Sequence, residues 1–446
     1  MTGIGTTTKT VSMTGTTLVD ALIEGTAWTG TVTYAFPTAT SSFAYSTEPS
    51  RNFGSVSYAQ ANTARFVLEQ SYGNKANDGF SVEGFTNLNI AAGSHSSATI
   101  RFAQSDAATP TAYSYYPGHY AQSGDVWFST NYAGTQFDFK NPIAGNYAWH
   151  VMIHEIGHTL GLGHGNEGPV ALPDEYNSLE YTVMTTRTFV GDPVSGYNYE
   201  QFGAPQTFMM ADIAALQHMY GADYSTNAGN TTYKWVPGSG KTYVNGEVAI
   251  EPGANRIFAT IWDGGGVDTF DLRAYSADMT IDLRPGAQSV FSEDQLAYLG
   301  GGPNNGYARG NIFNALLYQD NTASLIEKVF GGKGSDQITG NVLSNTLKGN
   351  GGDDVLIGLE GNDVLFGGGG CDVFVFKNDH DRDTIRDFVD GDDWIDLGDF
   401  NFATKAEALA CSYGKGTDTV FAFGDGDQLI LKNFDYKHLD AGDVII

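Results

Sequence analysis

The chain has 446 residues, too many for one ordinary compact core, and at 41% hydrophobic and 17% charged it has the composition of a folded protein of two or more domains. Asp and Glu outnumber Lys and Arg by 51 to 23, a net charge of −28 that makes nucleic acid and anionic membrane surfaces poor partners. Divalent cations are the natural counter-charge, and 57 glycines point to many tight turns.

Residues 1–20, MTGIGTTTKTVSMTGTTLVD, form a Thr- and Gly-rich N-terminal arm or a cleaved propeptide. They hold no basic cluster followed by an apolar run, so no Sec signal is expected, and no later run is long enough to span a membrane. Within residues 21–222, Ala98–Phe102 and Asp125–Phe128 are expected strands, separated by a turn at Tyr115-Tyr116-Pro117-Gly118. Trp149, Met152, Ile153, Ile156 and Leu160 recur at helical spacing, which predicts a buried helix over 149–160. A second helix is expected over 212–220, stopped by Gly221.

After residue 223 Asn, Thr, Gly and Asp punctuate short β-like runs, and this half is expected to be all-β. From Gly331 to Val375 five units of nine residues follow GGxGxDxUx, the second degenerate with Asn345 in the Asp position. Each glycine-rich half can turn tightly, and each following strand can point one side chain inward: Ile338, Leu347, Leu356, Leu365 and Phe374. Stacking then aligns Asp336, Asp354, Asp363 and Asp372 along one edge, where Ca²⁺ would relieve their repulsion. The expected calcium-binding residues are Gly331, Gly334 and Asp336; Gly349, Gly352 and Asp354; Gly358, Gly361 and Asp363; and Gly367, Gly370 and Asp372. Cys371 and Cys411 are too few for a disulfide framework, and the sequence leaves open whether they pair.

The run from His154 to His164, HEIGHTLGLGH, carries the chemistry. Histidines four apart on one helical face can present two imidazole nitrogens to one ion, and Gly161 lets the chain turn back so that His164 becomes the third. Three neutral nitrogens suit one catalytic Zn²⁺ with a position open for water, and Glu155 can take a proton from that water as general base without binding the metal. His150, one turn earlier, is expected to pack; His95, His119, His218, His380 and His438 have no partner spacing.

HExxHxxGxxH followed by Met184 in Tyr181-Thr182-Val183-Met184-Thr185 resembles the metzincin metalloproteases. Together with the nine-residue repeat, the chain resembles the serralysin family, secreted bacterial proteases joined to a calcium-binding RTX β-roll. The segments ALIEGTAWTGTVTYAFP, PQTFMMADIAALQHMYGAD and TIWDGGGVDTFDL agree, so the resemblance covers residues 21 to about 375. It implies that Met184 forms a floor beneath the zinc, and that Asp263, Gly265 and Asp268 help bind a further calcium. It also implies type I export read from the C-terminus, to which Asp443-Val444-Ile445-Ile446 is similar. One position departs: the family tyrosine two past the Met-turn methionine is Thr186, too short to reach the metal, and Tyr181, Tyr197 or Tyr199 could substitute.

The expected fold is multidomain, an α+β metzincin-like catalytic domain followed by an all-β parallel β-roll. Its parts are an arm at 1–20, a metalloprotease domain at 21–222, a connecting β region at 223–330, the roll at 331–375, and a C-terminal β region with the secretion signal at 376–446. The expected activity is that of a secreted, monomeric zinc endopeptidase stabilised by several calcium ions. Its partners are protein or peptide substrates, a type I exporter and a proteinaceous inhibitor, with no nucleic acid and no membrane insertion. A substrate strand would pair with an edge strand, for which 125–130 is the candidate. Residues 331–446, with 20 Asp and 2 Glu against 9 Lys and Arg, would resist compaction until calcium neutralises them. The rival reading is a catalytically weak or inactive calcium-dependent surface protein, for which Thr186 is the argument.

Overall fold

The computed structural model describes residues 7–446 except 71, 136, 194, 195 and 425. Residues 1–6 of the expected arm lie outside the described residues; the rest of it is docked. Thr7–Thr10 pairs antiparallel with Thr26–Thr29. Ser12 O accepts from His218 Nε2 at 2.7 Å, and buried Asp20 accepts from the backbone N–H groups of Thr14 and Gly15.

The first half is built on a sheet of β1 (Val32–Ala35), β2 (Ile90–Ala92), β3 (Ile100–Gln104), β4 (Ala112–Ser114) and β5 (Asp125–Phe128), in the order β2-β1-β3-β5-β4. β3 starts two residues later than its composition suggests, because Ala98 closes a turn onto Ser94 O. β5 is interior, parallel to β3 and antiparallel to β4, and every residue of it is buried. The edge on this side of the sheet is therefore β4, with β2 at the opposite edge, which corrects the expectation that 125–130 would be the exposed strand. A three-residue strand beside Tyr-Tyr-Pro-Gly carries too little pattern to be recognised from sequence.

Three helices pack with this sheet. α1 (Tyr58–Leu68) has weak apolar periodicity, and its signal is a capping box in which the Ser57 hydroxyl and the Gln60 side chain each accept the other residue's backbone N–H. α2 (Tyr147–Thr159) begins where the Asn146 side chain accepts the Trp149 N–H, and its inward face is Met152, Ile153 and Ile156. It ends at Gly161, whose φ of +102° and close approach to Thr26 O admit no side chain. α3 (Met210–Tyr220) stops at Gly221, φ +84°.

In the second half the chain alternates between two parallel sheets. β6 (Thr269–Asp271), β8 (Lys328–Phe330), β10 (Thr346–Gly351), β12 (Val364–Gly369), β14 (Arg382–Ile385) and β18 (Asp427–Leu431) belong to a long sheet. β7 (Thr280–Asp282), β9 (Gln337–Thr339), β11 (Val355–Ile357), β13 (Val373–Val375), β15 (Trp394–Asp396) and β19 (Val444–Ile445) form a short one. The hairpin strands β16 (Ser412–Lys415) and β17 (Asp418–Gly424) extend the long sheet past β18. The nine-residue repeat thus encodes the middle of a longer parallel stack. A six-residue helix, Lys405–Ala410, interrupts the expected all-β texture.

Register corrects one further expectation. Lys328 pairs with Thr346 and Thr346 with Val364 in one sheet, while Gln337 pairs with Val355 and Val355 with Val373 in the other. A nine-residue unit is therefore half a coil, and a full coil takes two. The inward side chains form two facing columns, Ile338–Leu356–Phe374 and Leu347–Leu365, all at most 1% exposed. The aspartates divide likewise into Asp336, Asp354 and Asp372 on one side and Asp363 on the other, not one edge.

The two halves share one continuous core. Backbone hydrogen bonds join Gln206 to Phe258, and Arg309 pairs with buried Glu180 at 3.0 Å. No helix among the described residues is long and apolar enough to cross a membrane. Replacing Leu356, fully buried between the sheets, by Ala should cost about 2–5 kcal/mol. Guanidinium unfolding of the calcium-loaded chain measures this, and a loss below about 0.5 kcal/mol would mean that the columns are not core.

Candidate metal centre

α2 places His154 and His158 one turn apart, and the chain reversal at Gly161 brings back His164. Their Nε2 atoms lie 3.1 Å (His154–His164), 3.1 Å (His154–His158) and 3.2 Å (His158–His164) apart. Each far-side nitrogen has its own acceptor: His154 Nδ1 meets Val183 O at 2.8 Å, His158 Nδ1 meets Leu162 O at 2.7 Å, and His164 Nδ1 meets Glu167 Oε2 at 2.8 Å. These acceptors fix the tautomer, so three lone pairs face one point. Burial, then the neighbouring imidazoles, holds His154 far below the usual range and His158 at about 3, so the rings stay neutral. Three nitrogens around one tetrahedral Zn²⁺ at about 2.0–2.1 Å sit about 3.3 Å apart, and this triangle fits. Among the described residues this is the one group of three or more His, Cys, Asp or Glu side chains whose ligand atoms converge.

Glu155 is buried beside the triangle. Ser114 Oγ, at the end of the free edge strand β4, lies 2.7 Å from Glu155 Oε2 and 2.9 Å from the Glu155 backbone oxygen. Burial pushes the Glu155 carboxyl up to about 7, and the Ser114 hydrogen bond opposes the shift. On the opposite face of β4, Glu48 Oε1 accepts from Tyr113 OH at 2.7 Å and Tyr115 OH at 2.5 Å, which fixes the register that aims Ser114 at Glu155.

Below the helix, Met184 is fully buried, and a Cβ on Gly157 would stand 2.6 Å from its sulfur. Its turn is anchored by Asp212, whose Oδ2 accepts the N–H groups of Val183 at 2.8 Å and Met209 at 2.9 Å. Val183 O in turn orients His154, so Asp212 reaches a candidate ligand through one residue, Val183. His150 packs: it is fully buried, with Tyr199 OH at 2.9 Å from Nδ1, and burial lowers it to about 4.

Thr186 opens onto a cavity of about 650 Å³ lined by Pro110, Tyr132, Phe137, Tyr147, Tyr197 and Tyr199 among others. Of the three tyrosines considered as substitutes, Tyr181 accepts from Arg309 at 2.8 Å and Tyr199 is held by His150. Tyr197 donates to Thr185 O at 3.1 Å and faces the cavity.

The second half gathers carboxylates. Asp263 and Asp268 are fully buried and both are shifted up, by burial first; Asp263 Oδ2 accepts from Tyr233 OH at 2.8 Å, Asp263 Oδ1 accepts from Gly265 N–H at 2.9 Å, and Asp268 Oδ2 has no hydrogen-bond partner. Glu327, which local sequence pattern does not mark, meets Asp268 N at 2.7 Å and is pushed up to about 7 by burial. Within the roll each aspartate accepts the backbone N–H of the one stacked before it: Asp354 from Asp336 at 2.7 Å, Asp372 from Asp354 at 2.9 Å, and Asp393 from Asp372 at 3.0 Å. On the other side Asp363 accepts from Asn345 and Asp383 from Asp363. The second oxygens of Asp354, Asp363, Asp372 and Asp383 are buried without a partner. Beside them Gly349, Gly358 and Gly367 leave a space that a Cβ would close onto the carboxylate. Bare carboxylate oxygens in a glycine cradle fit a hard cation such as Ca²⁺. Gly331, Gly334, Gly352, Gly361 and Gly370 form the turns around these columns, and Cys371 and Cys411 stand unpaired.

A family model described as Peptidase M10 serralysin C terminal matches residues 222–438. The chain is 34% identical to metallopeptidase AprA of Pseudomonas marginalis over 357 residues, which is 75% of this chain and 68% of that protein. This chain belongs to the serralysin family of metalloproteases. It is also 36% identical to serralysin G of Dickeya chrysanthemi over 324 residues, 69% of this chain, and spans 61% of that protein's length. Serralysin of Proteus mirabilis is 35% identical over 250 residues, covering 53% of this chain and 44% of that protein. Among solved structures the extracellular lipase LipA of Serratia marcescens aligns over 49% of this chain and 37% of that one at 17% identity, with a TM-score of 0.20, too low to bear on the fold.

Two measurements test this serralysin-family site. Glu167 is exposed, so Glu167→Ala should leave the fold intact and weaken Zn²⁺ affinity about 10–100-fold, read by chelator competition. Unchanged affinity would remove Glu167 from the site. The second concerns the roll, where burial pushes Asp354 up to about 8 and Asp336 and Asp372 up to about 6. The calcium-free fold then holds protons that the unfolded chain, with carboxyl groups near 4, releases, so stability falls as pH rises from about 4 to about 8. Melting in chelator should occur at a higher temperature at pH 5 than at pH 8, and excess calcium should abolish or reverse the difference. An identical pH trend with and without calcium would refute the assignment.

Proposed function

We propose that this chain is a secreted, calcium-stabilised zinc endopeptidase. The observation that carries the reading is the convergence of three proton-free imidazole nitrogens next to a buried carboxylate that is not one of them. His154, His158 and His164 would hold the ion; bound there, zinc supplies a positive charge that polarises a substrate carbonyl and acidifies water. Glu155 is the general base: with Oε2 engaged by Ser114, Oε1 takes the proton and later returns it to the leaving amine. The free edge of β4 aligns an extended peptide by backbone pairing, and the aromatic cavity at Thr186 takes one large apolar side chain of that peptide. A phenol is not available at Thr186, so the developing oxyanion has one donor fewer than in relatives with a tyrosine at this position.

In the second half, the bare oxygens of Asp268, Asp354, Asp363 and Asp372 support structural calcium, with Glu327 and Asp383 added to the expected ligands. Folding of the roll would then follow calcium, and type I export of a loosely folded chain into a calcium-rich exterior is consistent with that order.

Casein hydrolysis by zinc- and calcium-loaded protein tests the assignment. Glu155→Ala should lose about 10²–10⁴ of kcat with the zinc retained, and Thr186→Tyr should raise kcat by up to about 10². A folded, zinc-loaded parent without activity that Thr186→Tyr rescues would mean that the chain acts by binding instead.

A further inference from the structure

The outward face of the long sheet breaks the charge rule of the rest of the molecule. The chain has only 23 Lys and Arg against 51 acids, yet five cations gather on this face: Lys348 on β10, Arg382 and Arg386 on and just after β14, Lys432 after β18, and Lys415 on β16. Alternation along the strands puts them on one side: Asp383 and Ile385 point into the core while Arg382, Thr384 and Arg386 point out. Pairing of Leu365 with Ile385, Ile385 with Leu431 and Lys415 with Asp418 sets Phe366, Arg386, Lys432, Asp418 and Lys415 in one rank across adjacent strands. Lys348 extends the rank, its Nζ 4.4 Å from the Phe366 ring centre and 5.3 Å from that of Phe330.

The rank borders a groove of about 340 Å³ whose apolar floor is Val420 and Ile430 and whose walls are the four cations Arg382, Arg386, Lys415 and Lys432. Among the described residues Asp418 is the one acid lining it, and it is already spent on Lys432 at 2.6 Å. Arg382, Arg386 and Lys415 make no ion pair among the described residues. At about 4.8 Å between strands, the cations from β10 to β16 span about 24 Å. Cations left unpaired in a row on a strongly acidic protein are matched by an anionic chain that carries its charges at intervals.

We propose that this face binds an extended acidic polysaccharide through its carboxylate or sulfate groups. The arginines can engage each group in bidentate fashion. Nucleic acid fits less well, because the Lys348 ammonium stands over the half-buried Phe330 and Phe366 rings, where a base would have to stack. A membrane would bring the whole −28 surface up to an anionic plane, whereas a single polymer strand meets only the groove. An acidic peptide finds no free backbone groups on the face of a paired sheet.

The test is binding of the full calcium-loaded chain to a galacturonate hexasaccharide and to a sulfated dextran oligomer, by calorimetry at low and physiological salt, beside neutral dextran, polyglutamate and oligo-dT. Binding of at least one acidic glycan, weakened by salt and weakened tenfold or more in Arg382→Gln/Arg386→Gln, supports the proposal, and the stronger arm tells carboxylate from sulfate. Unchanged melting and casein hydrolysis in the double variant show that only the face was altered. Absence of binding to both glycans, indifference to the double substitution, or equal binding of polyglutamate or oligo-dT would overturn it.

Discussion

Three imidazole nitrogens held 3.1–3.2 Å apart, with the far-side nitrogen of each ring turned to an acceptor, repel one another unless a cation stands between them. The same constraint recurs in the second half, where carboxylate oxygens are buried in columns without partners. Both halves place electron-rich groups closer than neutral protein would tolerate, and both spend backbone order to do so. In the first half the groups behind the rings are acceptors, two carbonyls of a turn and a helix exit and the Glu167 carboxylate; in the second the groups behind the carboxylates are donors, the N–H groups of stacked coils. The rest of the architecture serves to keep these groups from relaxing apart.

That requirement explains why the halves are not independent. The turn that orients His154 is fastened by Asp212 on α3, and the connection between α2 and α3 is fastened from the second half by Arg309 on Glu180 and by Arg256 on Glu200 at 2.5 Å. Thr260 N donates to Thr207 Oγ1 at 3.0 Å, only three residues before Asp263. A cation at Asp263 and Asp268 would therefore stiffen the strand that supports the approach to α3. Cations held at these two candidate sites, far apart in sequence, would act on one packed core.

Legibility in the sequence follows the range of the interaction. His154, Glu155, His158 and His164 lie within eleven residues on one helix and its exit, so spacing reveals them. Glu167 was also within reach, three residues past His164, but one acid on a loop has no periodicity to mark it. Ser114, Glu48, Asp212 and Glu327 hold groups that lie 29 to 67 residues away in the chain, and no local pattern encodes those contacts. The nine-residue repeat made the roll visible but concealed its geometry: the period of the text is half the period of the coil, because each unit makes one strand and the chain needs two strands to come round. Hence one expected column of aspartates became two. The short strands β4 and β9 illustrate the same limit, since β9 belongs to a repeat and was legible, whereas β4 has three residues and only its pairing with β5 identifies it as the edge.

Thr186 shows how a missing group changes the meaning of its surroundings. A tyrosine there would put a phenol on the lip of the aromatic cavity; the threonine leaves the cavity open between Tyr147 and Tyr197. Under the proposed function, the three converging imidazoles and the carboxylate held by Ser114 would work with one fewer donor for the developing negative charge and a wider mouth. Loss of a donor costs transition-state stabilisation, whereas added apolar volume strengthens ground-state contacts, so the two effects fall on different kinetic parameters. Tyr197 cannot recover the lost donor without giving up its hydrogen bond to Thr185 O, which ties the Met184 turn to the cavity wall. On the proposed function, this chain would exchange rate for contact area, and the exchange would rest on a single residue beside the imidazole triangle.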